Sequence, residues 1–105
     1  MIEFFFVNIE PSQIARDILS DRVVPIIEKF SDLGIYKVIL TVEMKNIPAQ
    51  TGPDLFTVSS SVLCKKFKTL AVKKSSVNFY LAAAAMAEGL NELIDREQNN
   101  HEIKK

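Results

Sequence analysis

The sequence has few of the residues from which small enzymes and metal sites are built. Its 105 residues include one cysteine, Cys64, one histidine, His101, and no tryptophan. A single cysteine permits no internal disulfide and agrees with a reducing compartment. Cys64 and His101 lie far apart and predict no metal site. The serines at 59–61 have no base near them, and a serine nucleophile needs one. We therefore expect a protein that is not an enzyme and has no cofactor or small-molecule substrate.

Glycine and long apolar runs are also scarce. The three glycines, Gly34, Gly52 and Gly89, form no phosphate-binding loop. No apolar run approaches the roughly 20 residues that a membrane helix needs. The apolar start, residues 1–7, is too short for a signal-peptide core and contains Glu3 where positive charge is expected. These absences predict a cytoplasmic protein with no membrane partner.

Net charge is absent, but the charges are unevenly placed. The 13 lysines and arginines balance 13 acidic residues. Residues 65–74 nevertheless hold Lys65, Lys66, Lys68, Lys73 and Lys74 and no acid. Such a group can bind phosphates of a nucleic acid. Lysines also protect the edge strand of a sheet from pairing with another chain. The lysines can further lie at opposite ends of one strand, and the sequence leaves these alternatives open.

The first half of the chain predicts a strand, a helix and a strand. Residues 2–9 are apolar on both faces of a strand, so the second face is either exposed or buried by a partner such as a second copy. Ser12 is a suitable N-cap for an amphipathic helix that ends at Gly34 and whose apolar stripe begins at Ile14. Pro25 predicts a kink or a break near residues 22–24 of that helix. Residues 36–45 then alternate, with Tyr36 on the apolar face.

The second half predicts two strands and a helix. Residues 46–54 read as a mobile loop because they contain two prolines and a glycine. Strands follow at 55–64 and 67–74, and Ser75 or Ser76 caps a helix over residues 77–96. Gly89 lies within this helix, where either close packing against the first helix or simple tolerance of glycine would explain it. Residues 97–105 lack periodicity and are expected to fray.

The order of elements is β-α-β-β-β-α. It predicts an α+β fold, a two-layer sandwich in which two helices cover one face of a four-stranded, mostly antiparallel sheet. The first two strands are joined through a helix and are expected to be parallel neighbours. Residues 1–96 form a single domain in this interpretation, and residues 97–105 form a frayed tail.

Two motifs indicate a family. Residues 75–83, SSVNFYLAA, combine a polar turn, an aromatic-plus-small-residue pattern and the start of an amphipathic helix. Residues 36–43 read YKVILTVE. In placement and pattern these motifs resemble the ribosome hibernation-promoting family of short ribosome-associated inhibitors, which has a similar VxVxLxVE run. The resemblance covers roughly residues 1–96.

The resemblance implies a double-stranded-RNA-binding-like sandwich on the small ribosomal subunit. Its function would be that of a non-enzymatic translation regulator that binds small-subunit rRNA in idle ribosomes. The family's contacts come from basic residues on the helices and nearby loops. Carried over by position, the helix-one candidates are Arg16, Arg22 and Lys29. The full set of predicted RNA-binding residues is Arg22, Lys29, Lys65, Lys66, Lys68, Lys73 and Lys74.

The second helix departs from the family pattern. The family has basic residues along its later turns, whereas this helix has Glu88, Glu92 and Asp95, with Arg96 as its basic residue. Acidic side chains repel a phosphate backbone. The sequence therefore keeps a second hypothesis, a protein-interaction module with the same fold that has lost RNA binding. A homodimer is a further interpretation, because the first strand is apolar on both faces.

Overall fold

The computed structural model describes residues 1–45 and 54–103 of the chain. These residues form four strands and two helices in the predicted β-α-β-β-β-α order, with a short 3₁₀ turn at Ser31–Leu33 after the first helix. The elements are β1 (Ile2–Val7), α1 (Gln13–Lys29), β2 (Ile35–Lys45), β3 (Leu55–Cys64), β4 (Leu70–Ser76) and α2 (Phe79–Ile103). Most of the predicted mobile loop, residues 46–53, lies outside the described residues.

The sheet has the strand order β1-β2-β3-β4. β1 runs parallel to β2, with Phe4 opposite Leu40, whereas β2, β3 and β4 pair in antiparallel fashion. Both helices pack on one face, so the predicted two-layer α+β sandwich is confirmed. β1 and β4 are the two edge strands.

The core lies between the sheet and the helices. Val38, Leu40 and Val42 of β2 are at most 1% exposed because alternation along the strand turns all three toward the helices. α1 and α2 contribute apolar side chains at helical spacing to the same cluster. Their fully buried members are Leu19, Val23, Ala82, Ala83, Met86, Leu90 and Ile94. The small alanines let α2 lie close to the sheet.

α1 confirms the predicted cap but not a break. The Ser12 hydroxyl accepts a hydrogen bond from the Ala15 N–H at 3.2 Å, as an N-cap should. Pro25 lies within the helix, which continues to Lys29, so a break near residues 22–24 is wrong. Pro25 is exposed, and water can therefore satisfy the carbonyl that its missing N–H leaves unpaired. A kink at this position remains a prediction.

The junction of β4 and α2 differs from the prediction. β4 begins at Leu70 and includes Ser75 and Ser76, which were expected to cap the helix. The helix is instead capped by Asn78, whose side-chain oxygen accepts a hydrogen bond from the Leu81 N–H at 3.2 Å. Asparagine is as good an N-cap as serine, and Asn78 stands at the required spacing from Leu81.

The C-terminal half of α2 also differs. α2 ends at Ile103 rather than near residue 96, so residues 97–103 of the predicted tail continue the helix. Whether those turns fray in solution remains a prediction, as does the division of the chain at residue 96. None of the described helices is both long and apolar enough to cross a membrane.

Two apolar side chains do not lie on their predicted faces. Tyr36 is 56% exposed because the β2–β3 register shifts between Ile35 and Lys37, which interrupts the alternation. Ile14 is 68% exposed, since it lies in the first turn of α1, before the buried stripe begins. Gly89 faces β4 rather than α1, and a Cβ built there would lie 3.1 Å from the Val72 Cγ1.

Candidate nucleic-acid interface

The turn between β3 and β4 holds three exposed lysines, Lys65, Lys66 and Lys68, which we call the turn lysines. The backbone N–H of Lys65 donates to the Gly34 carbonyl at 3.2 Å and so ties the turn to the start of β2. Gly34 has φ of +73°, and a Cβ there would lie 3.2 Å from the Lys65 Cβ, so glycine suits both the backbone and the contact. The turn is anchored at its base while its ammonium groups reach solvent.

Two further lysines, Lys73 and Lys74, lie on β4 itself, and we call them the edge lysines. Their side chains point to opposite faces of the sheet because they are adjacent in a strand. Lys73 stands opposite Ser59 on the open face. Lys74 lies on the helix side and lines a shallow cleft with the exposed acidic residues Glu88 and Glu92 of α2.

The turn lysines and the edge lysines are separated along the strand direction. Leu70 at the start of β4 pairs with Val62, whereas Lys74 pairs with Val58. At about 3.3 Å per residue, the two groups lie roughly 15 Å apart. The lysines therefore lie at opposite ends of β4, as one of the alternatives from the sequence predicted. The five lysines form two small groups rather than one patch.

The basic residues of α1 lie on two sides of the helix. Lys29 donates to the Asn91 side-chain oxygen of α2 at 3.4 Å, and its ammonium lies 5.1 Å from the centre of the Phe30 ring. Arg22 is exposed, and its seven-residue spacing from Lys29 places it on the same side of α1. Arg16 lies over the Phe6 ring of β1 at 5.2 Å. Arg22 and Lys29 therefore lie toward α2, and Arg16 lies toward the β1 edge.

Lys29 lies at the same end of the sandwich as the turn lysines. α1 ends at Lys29, the 3₁₀ turn follows, and Gly34 then accepts the hydrogen bond from Lys65. Lys29 also stands in the last turn of α1, where a positive charge compensates the free helix carbonyls. Arg22 lies roughly 10 Å further along the helix axis, at about 1.5 Å per residue.

None of the predicted binding residues forms an ion pair with a carboxylate in the described part of the chain. Across residues 1–45 and 54–99, one ion pair is closer than 4 Å, between Lys37 and Glu3 at 3.1 Å. None of the seven predicted RNA-binding residues takes part in it. Lys74 nevertheless shares its cleft with the carboxylates of Glu88 and Glu92. The electrostatic setting thus favours the turn lysines over Lys74 as ligands for phosphate.

The aromatic side chains near the start of α2 serve mainly in packing. Phe79 packs edge-on against Phe56, with ring centres 6.3 Å apart, and is half-buried. Tyr80 is 59% exposed and so retains a face on which a base can stack. Phe79 therefore packs against the sheet, and Tyr80 is the more accessible of the two rings.

Sequence reasoning missed an apolar cavity of ≈ 250 Å³ between the first turns of the two helices. No sequence pattern predicted this cavity, because the helical spacing of α1 assigns Ile14 to the buried stripe. In the structure Ile14 is exposed and lines the cavity. The lining has no titratable side chain apart from Tyr80, and in the described part of the chain no cluster of three metal-ligating residues occurs. The lining residues are Phe6, Ile9, Ser12, Ile14, Ala15, Ile18, Val42, Phe56, Phe79 and Tyr80.

Comparison with known proteins gives a fold likeness but no sequence relative. No protein-family model matches the chain, and a search of curated proteins finds no match. Among solved structures, a ribosomal subunit interface protein from Coxiella burnetii superposes with a TM-score of 0.73 at 13% identity, covering 92% of this chain and 97% of its own. The Protein Y N-terminal domain of Thermus thermophilus gives 0.62 at 14% identity, over 90% and 93%. The likeness to the ribosome hibernation-promoting family is therefore confirmed at the level of the fold.

Proposed function

We propose that this protein is a non-enzymatic translation regulator that associates with ribosomes in the cytoplasm. In this proposal it binds small-subunit rRNA of idle ribosomes, and the turn lysines supply the main contacts. The shared fold supports the proposal, since one neighbour is named a ribosomal subunit interface protein. The proposal includes a homodimer, because the open face of β1 keeps exposed apolar side chains.

The observation that carries the proposal is the setting of the turn lysines. Lys65, Lys66 and Lys68 stand on a turn whose backbone is fixed by the bond from Lys65 to Gly34. Their ammonium groups are exposed and have no carboxylate partner among the described residues. Each ammonium group that neutralises a phosphate releases condensed counterions, which contributes salt-dependent affinity. A chain without net positive charge can therefore still bind RNA at this one site.

Lys29 and Arg22 extend the proposed surface along α1. Lys29 makes a long hydrogen bond to Asn91 and a contact with the Phe30 ring, but it is exposed, so its ammonium remains available to a phosphate oxygen. Arg22 offers a planar fork of donors that suits phosphate. The edge lysines contribute less in this proposal, because Lys74 shares its cleft with two carboxylates.

Co-sedimentation with purified small ribosomal subunits tests the proposal. We expect the wild-type protein to sediment with the subunits at low ionic strength. The variant Lys65→Gln, Lys66→Gln, Lys68→Gln should remain in the supernatant, whereas the control Lys73→Gln, Lys74→Gln should still sediment. Failure of the wild-type protein to associate at low ionic strength would contradict the proposal.

A protein-interaction module without RNA binding is the second candidate. The exposed Glu88, Glu92 and Asp95 on α2 and the net charge of zero favour it. Purification of a tagged protein from lysate with and without RNase separates the two functions. Recovery of one defined non-ribosomal partner that survives RNase supports the module. Loss of all ribosomal material on RNase treatment supports rRNA binding.

A further inference from the structure

β1 is an edge strand without the usual protection. β4, at the other edge, has the edge lysines together with Ser75 and Ser76. β1 contains neither lysine nor proline, and its one charged residue, Glu3, is neutralised by Lys37 on β2 at 3.1 Å. Charges and prolines on an edge strand normally prevent pairing with another chain. The β1 edge has no such barrier.

The backbone of β1 presents a row of hydrogen-bonding groups outward. The Val38 N–H donates to the Met1 carbonyl at 2.9 Å. In a parallel ladder the alternate residues of a strand bond to the same neighbour, so residues 1, 3, 5 and 7 face β2. The N–H and C=O groups of Ile2, Phe4 and Phe6 therefore point away from the sheet. In the strand order of the described residues, β1 has no second neighbour to receive them.

The side chains of β1 are apolar on both faces. Phe5 is 52% exposed and Val7 is 41% exposed on the open face, which no described helix covers. Ile2, Phe4 and Phe6 are half-buried under α1. An occupant of this edge must be an extended segment with its own free backbone groups and apolar side chains on both faces. Because β1 is itself such a segment, a second copy of the chain meets every requirement.

We infer that two copies of the chain pair through β1, in antiparallel fashion about a two-fold axis, to form a continuous sheet of eight strands. The outward groups determine the register. Hydrogen-bonded pairs must join outward-facing residues, so Phe4 lies opposite Phe4 of the second copy and Ile2 lies opposite Phe6. This register uses all three outward residues and gives six inter-strand hydrogen bonds. A shift by two residues in either direction loses two of them.

Charge and position both fit this arrangement. In the stated register Glu3 lies opposite Phe5 of the second copy, so the two acidic side chains do not face each other. A two-fold interface of this kind closes on itself and yields a dimer rather than a fibre. The turn lysines stand at the start of β4, about three strand spacings or roughly 14 Å from β1. Pairing through β1 therefore leaves them accessible, and it does not depend on ribosome binding.

Sedimentation equilibrium of the purified, RNA-free protein tests the inference. The wild-type protein should be a dimer. Phe5→Glu should raise the dimer dissociation constant about tenfold, because the new carboxylate lies directly opposite Glu3 of the second copy, twice in each interface. The matched control Ile14→Glu places the same charge on an exposed apolar residue beside the cavity and should leave the dimer intact. A wild-type monomer at the highest soluble concentration would overturn the inference, as would a dimer that Ile14→Glu breaks and Phe5→Glu does not.

Cysteine cross-linking tests the register in a Cys64→Ala background. Residues opposite each other in a hydrogen-bonded antiparallel pair have Cα atoms about 5.5 Å apart, within the range of a disulfide. Phe4→Cys should therefore form a covalent dimer on mild oxidation, and Glu3→Cys should not. Efficient cross-linking of Glu3→Cys together with none for Phe4→Cys would show that the register is wrong.

Discussion

The five lysines between residues 65 and 74 divide into two groups with different surroundings. The turn lysines stand on a loop tied to the start of β2 through the bond from Lys65 to Gly34, and among the described residues no carboxylate lies within 4 Å of their ammonium groups. The edge lysines stand on β4, where Lys73 faces the open side of the sheet and Lys74 shares a cleft with Glu88 and Glu92. One group suits a phosphate backbone, and the other protects a strand edge.

The same contrast separates the two edges of the sheet. β4 ends in Lys73, Lys74, Ser75 and Ser76, whereas β1 reads IEFFFV. A strand edge with lysines resists pairing, and an apolar edge favours it. The molecule thus has one edge suited to solvent and one suited to a second copy. Phosphate binding and edge protection, the alternatives left open by the sequence, remain predictions, and the surroundings favour the first for the turn lysines and the second for the edge lysines.

Charge reversal of the turn lysines should have the largest effect. We expect Lys65→Glu, Lys66→Glu, Lys68→Glu to weaken small-subunit binding on the order of a hundredfold at low salt, because three favourable contacts become repulsive. Filter binding to labelled subunits measures the change. A decrease in affinity of less than threefold would mean that the turn lysines contribute no more to subunit binding than the edge lysines do.

Removal of the edge lysines should act on self-association instead. Lys73→Thr, Lys74→Val gives β4 an uncharged, β-favouring edge, so light scattering at a fixed protein concentration should rise about tenfold on prolonged incubation. Small-subunit affinity should stay within about threefold of wild type. If this variant shows no increase in light scattering and loses subunit binding, the edge lysines bind the subunit and do not protect the strand edge.

Ser60→Ala tests whether subunit binding follows stability rather than charge. Ser60 is 1% exposed, and its hydroxyl has no hydrogen-bond partner among the described residues. Replacement by alanine should raise the free energy of unfolding by about 1 kcal/mol, since a buried unsatisfied hydroxyl is removed. Urea denaturation measures the gain, and subunit affinity should not change. A change in affinity of the same size would indicate that stability contributes.

Neutralising the acidic cleft should have the smallest effect. Glu88→Gln, Glu92→Gln releases Lys74 from its two nearby carboxylates, so subunit affinity should rise about twofold to threefold at low salt and return to the wild-type value at high salt. A decrease in affinity would mean that these carboxylates contribute to the interface. Asp95→Gln, on an exposed position of the same helix, serves as the control for a simple change in net charge.

The sequence predicted the arrangement of elements because its local signals agree with one another. The alternation of residues 38–42 and the Ser12 cap recur in the structure, whereas Gly34 ends the 3₁₀ turn and not α1, which already ends at Lys29. The errors arose where two signals competed. Ser75 and Ser76 suit a cap as well as a strand end, and only the pairing of β4 with β3 places them in the strand. The sequence alternation assigns Tyr36 to the apolar face, but the register shift between Ile35 and Lys37 turns its side chain toward solvent.

The candidate site was predictable as a list of residues but not as an arrangement. The lysines could be named from their spacing. Their division depends on where β4 begins, and residues 67–69, assigned to that strand by pattern, belong to the turn. The acidic cleft beside Lys74 depends on the close approach of α2 to β4 at Gly89, where a Cβ would lie 3.1 Å from the Val72 Cγ1. Such tertiary contacts leave no local signal in the sequence.

The salt dependence of small-subunit binding tests the central claim most directly. The double variants Lys65→Gln, Lys66→Gln and Lys73→Gln, Lys74→Gln remove the same charge, so a global effect of charge would change both equally. We predict that the turn-lysine variant reduces the magnitude of the negative slope of log K against log salt by about 1.4–1.8, at about 0.7–0.9 per phosphate contact. The edge-lysine variant should leave this slope unchanged. An equal reduction in both variants, or a reduction in the second alone, would contradict the account.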